Sequence, residues 1–181
     1  MNKVVKQIHR RSLINCTANN LIIKNEYELA IESYMEMTMN SRVCFNIAMV
    51  YMALNEFERS VFYFRAAIHK DPWLAIGYFY FGVLLHQNKQ YEYAVQVYDK
   101  CLYTFRDHSC INYHNLGLTV ELEKSTVTTY LVKCYYALGN EELAQESLPL
   151  KATMSSILNT PVEFKLSLFK NPNGPKPKYP K

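Results

Sequence analysis

One pattern of small and large residues, written twice at an offset of 34, constrains this chain more than anything else in it. Counted from Ser41, the first copy places Cys44, Ile47, Ala48, Tyr51, Phe57, Ser60, Phe64 and Ala67, and it closes on Pro72. The second copy places Tyr78, Phe81, Gly82, Leu85, Tyr91, Ala94, Tyr98 and Cys101. Small residues at the eighth and twentieth positions let the two helices of a hairpin approach closely, and the large residues fill the seam around that contact. One hairpin cannot bury its own apolar face, so such units must stack. Asp71-Pro72 ends a unit, because proline fixes its own φ and disfavours helical geometry in the residue before it.

This order of residues is the tetratricopeptide pattern, and it predicts an all-α superhelix of about four helical hairpins. A weaker unit precedes the pair, with Ile14, Ala18, Leu21, Tyr27, Ala30, Tyr34 and Met37 in matching positions. After Arg106 the period fails, then resumes with Leu131, Val132, Tyr135, Ala144 and Leu148, with Gly139-Asn140 as the turn between helices. The predicted repeats are therefore about 11–40, 41–74, 75–106 and 125–156, in one domain over 1–159 with an insertion at 107–124. An insertion in a solenoid usually projects as a loop from one face, often the binding face. Pro149 is expected to shorten or bend the last helix. Residues 160–181 read as an extended Lys/Pro-rich tail.

Composition narrows the function classes. With 49% hydrophobic and 14% aromatic residues the chain is globular and not disordered. No run of about 20 apolar residues is present, so no membrane span is expected. The opening Met1-Asn2-Lys3-Val4-Val5-Lys6 lacks the long apolar core of a secretory signal. Together with five cysteines, an odd number that suits reduced thiols, this places the protein in the cytoplasm. Cys44, Cys101 and Cys134 fall on hairpin seams and read as packing residues. Residues 1–25 and 170–181 are basic and contain no acid, which leaves residues 26–169 at −5. Without a cationic stripe along the repeats, nucleic acid is excluded as a partner.

No catalytic constellation stands out, so the expectation is a non-enzymatic protein without cofactor or metal. The five glycines build no phosphate-cradling loop. His108, Cys110 and His114 lie within seven residues, but a closed zinc site needs a fourth ligand and a recurrent spacing. Some tetratricopeptide domains clamp a peptide carboxylate with Lys, Arg and Asn. At the corresponding positions this chain has Asn15, Asn19, Asn46, Ile76 and Tyr80, so the cations of such a clamp are gone.

Four stretches carry a more specific likeness: Ser41-Arg42-Val43-Cys44-Phe45-Asn46-Ile47, Leu74-Ala75-Ile76-Gly77-Tyr78-Phe79, Gln90-Tyr91-Glu92-Tyr93-Ala94-Val95 and Asn112-Tyr113-His114-Asn115-Leu116-Gly117-Leu118. They resemble the repeat region of the neutrophil cytosol factor 2 family, the large cytosolic activator subunits of the phagocyte NADPH oxidase. The likeness covers about residues 11–155 and includes the short first exit loop and the insertion. It implies an insertion packed as a small β-hairpin and a regulatory subunit that binds the small GTPase Rac in its GTP form. It also implies superoxide production by a membrane flavocytochrome, with other cytosolic oxidase subunits as partners and recruitment to the membrane with the oxidase. The family's Rac contacts fall here on Ser41, Asp71, Trp73, Arg106, His108, Cys110 and Asn112. Ser41, Asp71 and Arg106 keep the family's residue, whereas His108, Asn112, Cys110 and Trp73 replace Asn, Asp, Leu and His. The Lys-Pro stretch does not match the family's activation segment. In the family, the segment after the repeats folds back along the groove, and Val162 to Phe169 are placed to do the same. The alternative is a general scaffold that holds an unrelated peptide in its concave groove, where aromatics such as Tyr51 and Tyr80 would do the binding.

Overall fold

The same turn closes four helical hairpins. Asn25, Asn55, Lys89 and Gly139 each take a positive φ of 58 to 74°, and they follow one another at intervals of 30, 34 and 50 residues. After each of them the next amide, of Glu26, Glu56, Gln90 or Asn140, donates to the carbonyl five residues back at 2.9 Å. That is the helix-ending motif in which a left-handed residue lets the chain reverse and satisfy the last carbonyls. Asn accepts the left-handed region at low cost and Gly at none. The interval of 50 records the insertion.

The computed structural model describes residues 13–14, 16–149 and 152–170. Helix α1 is described over residues 13–14 and 16–23, and it is followed by α2 (Tyr27–Met35), α3 (Ser41–Ala53), α4 (Phe57–Lys70), α5 (Ala75–Gln87) and α6 (Tyr91–Phe105). Then come strand β1 (Cys110–Asn112), a 3-10 turn (His114–Leu116), strand β2 (Glu121–Glu123), and helices α7 (Lys124–Ala137), α8 (Glu141–Glu146) and α9 (Met154–Asn159). Among the described residues no helix is long and apolar enough to cross a membrane. Residues 11 and 12 of the first predicted repeat, Asn15, and the stretch 171–181 lie outside the described residues.

The chain divides into two compact units. The first comprises the residues up to Pro72, Tyr113–Val120 and the segment from Leu166 onward. In it α3 is buried from Arg42 to Met52, whereas α4 buries only Ser60, Phe64 and Ala67. A helix covered on several sides carries apolar residues all round, and one that flanks it shows a single stripe. The close approach expected at the eighth and twentieth positions is a hydrogen bond here, from the Ser60 hydroxyl to the Ala48 carbonyl at 2.9 Å. Ala18, Ile31, Tyr34, Val43, Ile47 and Val50 form the adjoining core.

The extended segment after α9 completes this unit. Asn46 is fully buried, and both ends of its amide meet the backbone of Phe169: Nδ2 donates to the carbonyl at 2.9 Å and Oδ1 accepts from the amide at 2.8 Å. The Phe169 ring has no exposure and stands edge-on to Phe45 at 5.3 Å and to Tyr113 at 6.2 Å. The Lys170 amide donates to the Gly117 carbonyl at 2.9 Å. The tip of the insertion, residues 113–120, is pinned by two side chains, Tyr113 and Leu118, each 1% exposed, while His114, Asn115 and Thr119 face water. The apolar surface that Tyr113 and Leu118 bury supplies the reason.

The second unit comprises Trp73–Asn112 and Glu121–Lys165. Its eighth position is Gly82, where an added Cβ would lie 2.4 Å from the ring of Tyr98. Gly82→Ala therefore forces a buried ring to move, and we expect a loss of about 1–3 kcal/mol in urea unfolding. Tyr98 is fully buried, and its hydroxyl has no hydrogen-bond partner among the described residues. Tyr98→Phe removes an orphaned polar atom, so stability should be unchanged or rise by up to about 1 kcal/mol in the same assay. Tyr98, Phe79 and Tyr130 form an aromatic cluster in which Tyr130 stands edge-on to the other two rings. The chain beyond α9 is held by side-chain contacts to its backbone, from the Lys133 ammonium to the Thr160 carbonyl and from the Glu163 amide to the Tyr130 hydroxyl at 3.3 Å. Burial lowers the affinity of Lys133 for its proton. α8 stops at Glu146, ahead of Pro149, and α9 restarts on a capping box at Thr153.

A candidate partner-binding face at the foot of the insertion

Arg106 ends α6 in a backbone conformation of φ 50° and ψ −122°, a region that favours glycine. Holding a side chain there costs about 1–3 kcal/mol, and such positions gather at functional sites. The guanidinium lies 4.4 Å from the centroid of the Trp73 ring, within the range of a cation–π contact. Trp73 in turn stacks on Tyr103 from the last turn of α6, with centroids 5.9 Å apart and planes inclined by 23°. Arg106 is exposed, Trp73 is half-buried and Tyr103 is 75% exposed. With Leu102 and Asp107 these three line a shallow depression of about 650 Å³.

The insertion rises from this point as an antiparallel pair in which Cys110 faces Glu123, Ile111 faces Leu122 and Asn112 faces Glu121. Alternation along a strand puts Cys110 and Asn112 on one face and Ile111 on the other. The inner face is apolar, with Leu122 only 2% exposed. The outer face therefore shows Asn112, Glu121 and Glu123, all exposed, with Cys110 half-buried. The Cys110 thiol donates to the Glu121 carboxylate at 2.9 Å, and desolvation together with that carboxylate pushes the thiol up to about 11. It is a protonated hydrogen-bond donor at neutral pH, not a reactive thiolate. His108 is exposed, and its amide caps Phe105 at 2.9 Å.

Of the residues singled out in the sequence, Trp73, Arg106, His108, Cys110 and Asn112 belong to the second unit and Ser41 and Asp71 to the first. Arg106 and Trp73 are in contact. Cys110 and Asn112 share the outer face of the hairpin. Ser41 opens α3 behind the side-chain cap of Asn40, and Asp71 closes α4; both are half-buried. Sequence reasoning missed Tyr103, although an aromatic off the buried stripe of α6 and three residues before Arg106 was its signal. It also missed Glu121, which sets a carboxylate across the ladder from Asn112, where the resemblance had a carboxylate lost. Among the described residues no three His, Cys, Asp or Glu side chains are grouped to hold a metal ion.

Residues 41–69 match the family model described as tetratricopeptide repeat. The crystal structure of MamA superposes on the chain with a TM-score of 0.61 at 14% identity, covering 80% of this chain and 78% of that one. The chain has the tetratricopeptide-repeat fold. Its sequence is 30% identical to human neutrophil cytosol factor 2 over 135 residues, which is 74% of this chain and 26% of the relative. It is 31% identical to the NADPH oxidase activator of Dictyostelium discoideum over 113 residues, or 62% of this chain and 18% of that protein. The chain thus spans about a quarter or less of the length of these relatives.

Proposed function

We propose that this chain is a non-enzymatic regulatory subunit that grips a Rac-type GTPase in its GTP form and acts as an NADPH oxidase activator. It does so in the cytoplasm and moves to the membrane flavocytochrome and its cytosolic partners when superoxide is to be made. Arg106 is the central contact, joined by His108, Cys110 and Asn112 at the insertion, by Trp73 and Asp71 in the loop before α5 and by Ser41 at the start of α3. The observation that carries the reading is the exposed guanidinium of Arg106, presented on an aromatic ring at the foot of a hairpin that interrupts the repeats. Trp and Arg are the residue types that most often dominate protein interfaces. Likeness to an NADPH oxidase activator and a cytosol factor supports the oxidase role in this reading.

A pull-down against the GTPase loaded with GTP or with GDP tests the reading. We expect at least about tenfold tighter capture of the GTP form. Equal capture of both forms, or of neither, would overturn it. The alternative of a peptide held in the concave groove has less support. Asn46, one of the surviving clamp asparagines, is committed to the backbone of Phe169, and Tyr51 and Tyr80 are 7% and 6% exposed.

A further inference from the structure

Helix α6 buries Ala94, Tyr98, Cys101 and Phe105 along one stripe, and its outer surface leaves two aromatic rings, Tyr93 and Tyr103, largely in water. Such a surface ordinarily carries polar residues. Tyr103 is the one that lines the depression beside Arg106. It is 75% exposed and lies parallel to Trp73, the ring that also carries the Arg106 guanidinium. Trp73 therefore touches both neighbours and cannot shift without disturbing each. Tyr, Trp and Arg, the three types most enriched among residues that dominate binding, meet here around one depression with Leu102 and Asp107.

We propose that Tyr103 is a further partner contact and that Tyr103, Trp73 and Arg106 act as one gripping unit. This inference rests on the GTPase reading above. Tyr103 and Leu102 offer the partner an apolar seat, and Arg106 offers a cation for a carboxylate or carbonyl oxygen at its edge. The stack does two things at once. It adds contact area in rigid aromatic rings, which lose little conformational freedom on binding. It also fixes the direction of a long side chain that would otherwise sample many rotamers in water.

Calorimetric titration of the full chain with the GTP-loaded GTPase tests this. Tyr103→Ala should weaken binding at least about tenfold without lowering Tm, since the side chain is mostly in water. Tyr103→Phe keeps the ring and should stay within about threefold of the parent. If the residues act together, Tyr103→Ala combined with Arg106→Ala should lose less than the product of the two separate losses. Parental affinity in Tyr103→Ala alongside a loss in Arg106→Ala would overturn the inference and leave the GTPase reading standing. Losses that simply multiply would also overturn it. No binding by the parent chain would sink both readings together.

Discussion

Replacing Arg106 with glutamate is expected to reduce affinity for the GTP-loaded GTPase at least about 30-fold, while Tm stays within a few degrees of the parent. The size follows from what the substitution does. It removes an interface arginine, a residue type that often contributes about 2 kcal/mol or more, and leaves a carboxylate facing the group that met a cation. Stability should respond far less than binding, because the side chain is exposed and a cation–π contact such as that with Trp73 contributes only about 0.5–1 kcal/mol at such a site. Arg106→Gly separates binding from folding more sharply. Glycine takes a φ of 50° without strain, so the strain of about 1–3 kcal/mol is relieved. That relief is offset by the lost cation–π contact and by the greater unfolded-state freedom of glycine, about 0.4–1 kcal/mol. Folding stability should be unchanged or slightly raised while GTPase binding is lost. Urea unfolding and titration on the same two variants check this. A variant that folds at least as well as the parent and still fails to bind would show that the Arg106 side chain is kept for binding and not for folding. A variant that binds normally would remove Arg106 from the interface.

Much of the fold is legible in the sequence, because stacked hairpins are local objects. The offset of 34 requires the turn residues at 55 and 89, and the small residues at 48, 60 and 82 mark where helices touch. The irregular parts resisted reading for physical reasons. Nothing in residues 103–107 announces a positive φ at Arg106, since that angle is imposed when α6 must stop and release the chain into a hairpin. Trp73 and Arg106 lie 33 positions apart, and only the packing of a loop against the last turn of α6 brings a ring under a guanidinium. Asn46 was legible as a groove residue, but its partner was not. The sequence aligned it with asparagines that hold a peptide carboxylate, and the structure bonds it instead to the amide and carbonyl of Phe169. The stretch from Val162 to Phe169 was expected to fold back along the groove, and its two aromatics differ: Phe169 is sealed and Phe164 is half-buried.

Phe169→Ala should cost about 3 kcal/mol in urea unfolding, a large effect for a residue so far along the chain. The ring is fully enclosed, and removing a buried phenylalanine ordinarily costs about 3–5 kcal/mol. The lower end applies because an extended segment can detach where a core helix cannot, so the loss is capped by the free energy with which the segment docks. Asn46→Ala attacks the same docking from the opposite side. It strips the amide and carbonyl of Phe169 of their buried partners, and each orphaned group costs about 1–3 kcal/mol. Because both substitutions act on one docking equilibrium, the double variant should be little worse than the more damaging single one. Hydrogen exchange gives the local readout. The amides of Phe169 and Lys170, bonded to Asn46 Oδ1 and to the Gly117 carbonyl, should lose protection in either variant. Those of α4, such as Ser60 bonded to Glu56, should keep theirs. Strictly additive losses, or protection lost throughout α4, would mean that Asn46 and Phe169 support the first unit as a whole and do not form a separable latch.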